Sequence, residues 1–178
     1  MKEQLSRYLL HLGVIFDSLD VAPINEFSAK AAKRQKLFVG GFGRTGLILK
    51  SFAVRMNRLN LPTFVLLGTS APPIEAGDLV LIGSGSGTTE TTLATAKEVQ
   101  RRSAELTAIT GNLLSPLGQI ADHRILIPPF LPPDLASDVD VTSPVQAGFE
   151  QALNLILDAI SARIDSHLRP DRARSFIP

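Results

Sequence analysis

Four hydroxyls, those of Ser84, Ser86, Thr88 and Thr89, fall within one short stretch of the chain and are interleaved with Gly85 and Gly87. Hydroxyls donate hydrogen bonds to phosphate oxygens, and glycines leave backbone N–H groups uncovered, so such a stretch can hold an anion with neither a lysine nor a metal. A second glycine-rich stretch, Gly40-Gly-Phe-Gly-Arg-Thr-Gly46, follows the apolar run Leu37-Phe-Val39. Each stretch runs into a helix-like pattern, which sets its N–H groups at the positive end of a helix dipole. The chemistry these turns point to is the binding of a small, polar, phosphorylated ligand. Plainer roles stay open beside it: glycine as a tight turn at a strand end, and Ser or Thr as a helix N-cap.

Two nucleotide readings fail on their partner residues. Gly41-Phe-Gly-Arg-Thr-Gly46 fits the dinucleotide pattern G-x-G-x-x-G, but that pattern needs an acidic residue about 20 positions on to bind a ribose hydroxyl. The corresponding stretch here, Phe64-Val-Leu-Leu-Gly-Thr-Ser70, has no carboxylate. Neither turn carries the Gly-Lys-Ser/Thr end of an NTP-binding loop. The histidines, His11, His123 and His167, show no metal-ligand spacing, so structural roles are expected for them, with His11 or His123 open as a helper across a subunit interface. No metal and no cofactor is expected.

The elements that would position these turns follow from the hydrophobic period. Leu5, Leu9, Leu12, Ile15, Phe16 and Leu19 mark an amphipathic helix over 3–20, ended by Pro23, and a more polar helix is expected over 25–36. Strands are expected at 37–40, 63–67, 79–83, 106–110 and 124–127, with helices at 44–60, 88–103 and near 116–121. This alternation implies an α/β fold with a parallel sheet covered on both faces. The proline-rich tract 128–144 reads as a long surface loop. Beyond it Phe149, Leu153, Ile156, Leu157, Ile160 and Ile164 mark a last helix over 145–168, followed by a short tail, 169–178. One domain of N-terminal helices, sheet core 37–127, loop and last helix accounts for the chain. Its first and last helices are more apolar than such a domain needs, so contact with another subunit is expected.

Composition narrows the classes further. The chain has 178 residues, 44% hydrophobic and 20% charged, which suits one globular domain with a sizeable core. A net charge of +1 and an aromatic content of 6% argue against a nucleic-acid partner. Cysteine is absent, which removes disulfides and thiolate chemistry. With no long apolar run and an acid near its start, the chain is expected in the cytoplasm, away from membranes.

Gly43-Arg-Thr-Gly46, Phe52-Ala-Val-Arg55, Gly77-Asp-Leu-Val80 leading to Ser84-Gly-Ser-Gly87, and Phe149-Glu-Gln-Ala-Leu153 together resemble the sugar isomerase (SIS) domain, in order, between Leu5 and Asp165. Among its members the chain looks most like the 6-phospho-3-hexuloisomerases. The resemblance implies a three-layer αβα fold with a five-stranded parallel sheet, and a homo-oligomer, commonly a tetramer. It also implies a phosphorylated sugar as substrate, with 3-hexulose 6-phosphate converted to fructose 6-phosphate, as in the ribulose monophosphate route of formaldehyde assimilation. Two other readings remain: an isomerase of another phosphosugar, and a non-catalytic phosphosugar-binding module.

By the same resemblance Ser84, Ser86, Thr88 and Thr89 hold the phosphate, Thr88 standing where a glutamate is common. Gly43, Arg44 and Thr45 line the sugar side, and Glu150 is the base. Moving a carbonyl to the next carbon takes a proton from one carbon and returns it to its neighbour, which a single carboxylate can do. In Val54-Arg-Met-Asn-Arg-Leu59, Arg58 replaces a histidine proposed as catalytic in the family. An arginine does not shuttle protons, but it can stabilise an enediolate or bind phosphate, so by this resemblance Arg58 is expected as a catalytic residue along with Glu150, and which subunit supplies Glu150 to a given site stays open. Ser143-Pro-Val-Gln-Ala-Gly148 also departs from the family's pattern before Glu150.

Overall fold

In the computed structural model, which describes residues 1–128 and 146–170, five strands form one all-parallel sheet. They are β1 (Leu37–Gly40), β2 (Thr63–Val65), β3 (Leu79–Ser84), β4 (Glu105–Thr110) and β5 (His123–Leu126), in the order β2-β1-β3-β4-β5. Among the described residues six helices accompany them: α1 (Lys2–Asp17), α2 (Val21–Ala31), α3 (Gly43–Arg58), α4 (Glu90–Arg101), α5 (Pro116–Ile120) and α6 (Gln146–Leu168). The proline-rich tract expected as a loop and the end of the tail lie outside the described residues.

The period of two along the strands sorts side chains to two cores. Leu37, Val39, Leu79, Leu81, Ile109 and Ile125 join the core under α1, α2, α3 and α6. Phe38, Val80, Ile82, Leu106 and Ala108 join the other, under α4 and α5. Both faces are covered, which is why these strands are apolar at nearly every position.

Strand order fixes where a ligand can enter. The chain begins at β1, steps outward to β2, and returns to place β3 on the other side of β1. The connections after β1 and β3 therefore part to opposite faces and open a crevice at the carboxyl ends of those two strands. Both glycine-rich turns leave the sheet at that crevice.

The opposite end of the sheet is closed by charge. Glu105, at the start of β4, receives the Lys30 ammonium at 2.6 Å, pairs with Arg34, and lies 2.8 Å from His123 Nε2 at the start of β5. Burial pushes the Glu105 carboxyl up, but the Lys30 hydrogen bond and the charges of Lys30 and Arg34 outweigh it and hold the group below the ordinary carboxylate range. His123 is thus part of a structural network at the far end of the strands from the crevice.

Several boundaries differ from the sequence reading; the helix expected over 25–36 spans Val21–Ala31, and two of the differences have a plain physical reason. Pro23 does not end the first helix. Instead α1 stops at Asp17, Asp20 caps α2 by accepting the Ala22 N–H at 2.9 Å, and Pro23 sits in the first turn of α2, where its missing N–H costs nothing. Strand β2 ends at Val65, not residue 67, because Leu67 turns to a left-handed φ of 62°. The expectation of spare apolar surface divides between the two helices. Along α6, Phe149, Leu153, Ile156, Leu157, Ile160 and Ile164 are all buried in this chain's own core. Along α1, Leu5, Tyr8, Leu9 and Leu10 stay exposed. Among the described residues no helix is long and apolar enough to cross a membrane.

Candidate functional site

The helices that leave β1 and β3 at the crevice, α3 and α4, differ from α2 and α5 in how they begin. Asp20 and Ser115 cap α2 and α5 with their side chains, Ser115 accepting the Gly118 N–H at 3.2 Å. The N-cap residues of α3 and α4, Phe42 and Thr89, make no side-chain cap bond. Two helix starts with uncovered N–H groups thus converge on one place, and each carries partial positive charge. Glycine permits the close approach. A Cβ on Gly46 would lie 2.4 Å from the Gly41 carbonyl oxygen, so only glycine lets α3 start against the end of its own strand. Gly87 combines a φ of +65° with the Ser115 Oγ 2.0 Å from where its Cβ would stand.

Between these starts lies a cavity of about 280 Å³. Gly43, Arg44 and Thr45 line it from α3, Ser84, Gly85 and Ser86 from the turn after β3, and Thr89 and Thr92 from the start of α4. Phe149 and Glu150, on the first turn of α6, close it. The Ser84 Oγ accepts the Gly87 N–H at 3.1 Å, which shapes the turn and leaves its own O–H free to donate. The Phe149 ring packs on the loop: a Cβ on Gly85 would meet its Cδ1 at 3.2 Å.

Glu150 is 7% exposed, and its carboxylate pairs with the Arg44 guanidinium. The pair is lopsided, since the Glu150 side chain is 10% exposed and that of Arg44 57%. A buried acid thus stands beside a largely exposed cation, at the edge of the cavity between the two uncapped helix starts.

Most of the residues singled out by sequence come together here, but two do not. Thr88 lies outside the lining. Its N–H and hydroxyl both donate to the Ser86 Oγ, at 3.3 and 3.0 Å, so it braces the neighbouring serine. Arg58 and Glu150 are not brought together within one chain. Arg58 ends α3, fifteen residues from Gly43, which at 1.5 Å per residue is about 22 Å along the helix. There it lines a separate cleft of about 420 Å³ with Ser51, Val54, Ser161 and Asp165. His167 is exposed near the end of α6. His11 abuts the start of α6, with its Nε2 3.0 Å from where a Gly148 Cβ would stand, and burial pushes its pKa down. Sequence reading missed Thr92, which is 1% exposed and lines the cavity. The one signal for it was its position one turn beyond Thr89, on the same helix face. Among the described residues no group of three or more His, Asp or Glu side chains is placed to hold a metal ion.

The SIS domain matches residues 30–130 of the chain. A 3-hexulose-6-phosphate isomerase of Mycobacterium gastri is 37% identical over 134 residues, 74% of this chain and 66% of that protein. One of Bacillus subtilis is 33% identical over 129 residues, 72% of this chain and 70% of that protein. The match therefore spans about two thirds of the length of these relatives. Among solved structures, a Methanococcus jannaschii protein inferred from its structure to be a 3-hexulose-6-phosphate isomerase superposes with a TM-score of 0.79 at 25% identity, covering 96% of this chain and 94% of that one.

Proposed function

The chain belongs to the SIS domain family, and from that membership and the crevice geometry we propose that it is a phosphosugar isomerase converting 3-hexulose 6-phosphate to fructose 6-phosphate. The observation that carries this reading is the convergence of two uncapped helix starts on a cavity that also holds a buried carboxylate. An anion cradle alone describes a binding protein. A cradle with a base at its edge describes an enzyme that grips one end of a molecule and moves a proton at the other.

The phosphate lies at the start of α4, where it accepts hydrogen bonds from the hydroxyls of Ser84, Ser86 and Thr89 and from free N–H groups. Thr88 contributes by fixing the Ser86 hydroxyl. The open-chain sugar extends along Gly43 and Thr45 toward Glu150. The Glu150 carboxylate takes the proton from C2, breaking that C–H bond as the electrons form a 2,3-enediolate, and returns the proton to C3. The O2 hydroxyl loses its proton as the C2 carbonyl forms, and O3 gains one. Arg44, beside Glu150, faces the oxygens on which negative charge develops and stabilises it. Arg58 takes no part in the site of its own chain. Assembly of identical chains belongs to the same reading and is supported by the exposed apolar residues of α1.

The test is turnover of 3-hexulose 6-phosphate by the purified protein, followed as fructose 6-phosphate formed. Glu150→Gln is expected to lower kcat by about 100-fold or more while the product still binds. Ser84→Ala/Ser86→Ala is expected to weaken binding. A parent protein that binds phosphosugars and turns over none of them would overturn the enzyme reading in favour of a regulatory module. Unchanged turnover in Glu150→Gln would remove Glu150 as the base.

A further inference from the structure

Glu150 stands on the first turn of α6, so whatever fixes that turn also aims the carboxylate. Residues 1–10 are exposed, and α1 first meets its own domain at His11, whose ring lies against Gly148, the third residue of α6. A Cβ at Gly148 would stand 3.0 Å from the His11 Nε2, 3.5 Å from its Cδ2 and 3.6 Å from its Cε1. Glycine thus lets the imidazole edge rest directly on the backbone of the first turn. Phe149 and Glu150 come next, and both are buried and line the crevice cavity.

The nitrogen at this contact has no use within the fold. His11 Nε2 is buried and, among the described residues, has no hydrogen-bond partner. A buried polar atom left unpaired costs free energy, so its presence at the base-bearing turn calls for a role. The N–H groups that open a helix have no partner inside it and carry partial positive charge, so an imidazolium here would face like charge without solvent to relieve it. Burial acts in the same direction and pushes the His11 pKa down. No acid offsets either effect: among the described residues His11 forms no ion pair, Glu150 on the facing turn is taken by Arg44, and on α1 itself Arg7 pairs with Glu3 while Tyr8 is exposed.

We propose that His11 is a positioning residue for the isomerase reaction: its neutral imidazole, seated on Gly148, sets the first turn of α6 and so aims the Glu150 carboxylate at the substrate carbon, and protonation of the ring withdraws that aim. His11 does not line the cavity, so it acts through α6 and not on the substrate. A small shift of the first turn moves the base but leaves Ser84, Ser86 and Thr89 in place, because these stand on the turn after β3 and at the start of α4. Its mark is therefore on kcat, with KM spared.

This inference rests on the isomerase reading above, and the test separates the two. kcat and KM for 3-hexulose 6-phosphate are measured between about pH 5 and about pH 8 for the parent protein, His11→Ala and His11→Gln. At the upper end His11→Ala is expected to lower kcat about tenfold and to leave KM within about twofold, as a base displaced by a fraction of an ångström implies. Glutamine can set its amide near the place of Nε2 and does not ionise, so His11→Gln is expected to recover most of that loss. Below pH 6.5 the parent's kcat is expected to fall with both His11 and Glu150, and that of His11→Gln with Glu150 alone. The readout is kcat because the substrate's own phosphate titrates near about pH 6 and enters kcat/KM for every variant. His11 is partly exposed on a helix, and alanine and glutamine are good helix formers, so both variants fold. A kcat of His11→Ala within about twofold of the parent, a loss carried by KM alone, or identical acid limbs in the parent and His11→Gln would each overturn the role of His11 and leave the isomerase reading standing. A parent protein without turnover overturns both.

Discussion

Removing either partner of the Arg44–Glu150 pair breaks the same contact, yet the two losses differ in cost. With Arg44→Gln the group left behind is a carboxylate whose side chain is 10% exposed, while with Glu150→Gln it is a guanidinium whose side chain is 57% exposed. A buried charged group without its partner costs about 1–3 kcal/mol, whereas a solvated one costs under about 1 kcal/mol. Arg44→Gln is therefore expected to destabilise the fold by about 2 kcal/mol and Glu150→Gln by less than about 1 kcal/mol. The double variant should match Glu150→Gln, because with the acid gone the arginine has nothing left to neutralise. Its cost falls below the sum of the singles by the whole Arg44→Gln cost, about 2 kcal/mol. Urea unfolding followed by circular dichroism measures these differences, with a common m-value checking that the unfolded states are alike. Protein concentration is held fixed, since assembly shifts apparent stability. Equal costs for the two single variants, or a larger cost for Glu150→Gln, would refute the burial argument and the role of Arg44 that follows from it.

Gly46→Ala sets a Cβ 2.4 Å from the Gly41 carbonyl oxygen and 2.9 Å from its carbon, both rigid backbone atoms, so α3 must move. A loss of about 1–3 kcal/mol is expected, with weaker phosphosugar binding in a titration. Gly13→Ala is the control: nothing lies within 4 Å of its Cβ in the middle of α1, and a gain of about 0.5–1 kcal/mol is expected from helix propensity. The pH dependence of stability should carry a contribution from His11. Burial lowers its folded pKa below the ordinary 6.5, so the unfolded chain takes the proton first. Stability is whole above pH 6.5 and falls as the pH drops toward the carboxylate range. His11→Leu should flatten the thermal midpoint across that window, and an unchanged slope would count against the assignment.

The sheet was legible because strand chemistry is local. Leu37-Phe-Val39 and Leu79-Val-Leu-Ile82 are short continuous apolar runs, and their order alternates with helices. What escaped depended on details of turns. Pro23 reads as a stop, and only the Asp20 cap turns it into a start. Leu67 reads as strand, and its left-handed φ has no mark in the sequence. In the site, the glycine turns announced themselves by composition. The Arg44–Glu150 contact joins the first turn of α3 to the first turn of α6, and no local pattern encodes it. Arg58 shows the converse: a motif comparison gives it a role, but only helix length tells that it lies at the far end of α3 from the Glu150 of its own chain. The spare apolar surface expected on both terminal helices belongs to α1, because the face of α6 is used up by contacts that only the folded chain makes.

Leaving α3 and α4 without side-chain caps has an energetic cost, since a Ser, Thr, Asp or Asn cap is worth about 1 kcal/mol. Phe42 at the N-cap of α3 has no oxygen to offer. The unfilled N–H groups make the crevice attractive to phosphate, but they stand across one cavity from a buried carboxylate that would repel it. Arg44 resolves the conflict. By pairing with Glu150 it removes the local like charge before the substrate arrives, and being half-exposed it can turn toward the reacting oxygens once the phosphate is held. In the proposed reaction the acid can then serve as a base although the cavity is to hold an anion. Free N–H groups and a buried carboxylate coexist in this fold because the turn that supplies part of the cavity wall, Gly43-Arg-Thr-Gly46, also supplies the counter-charge.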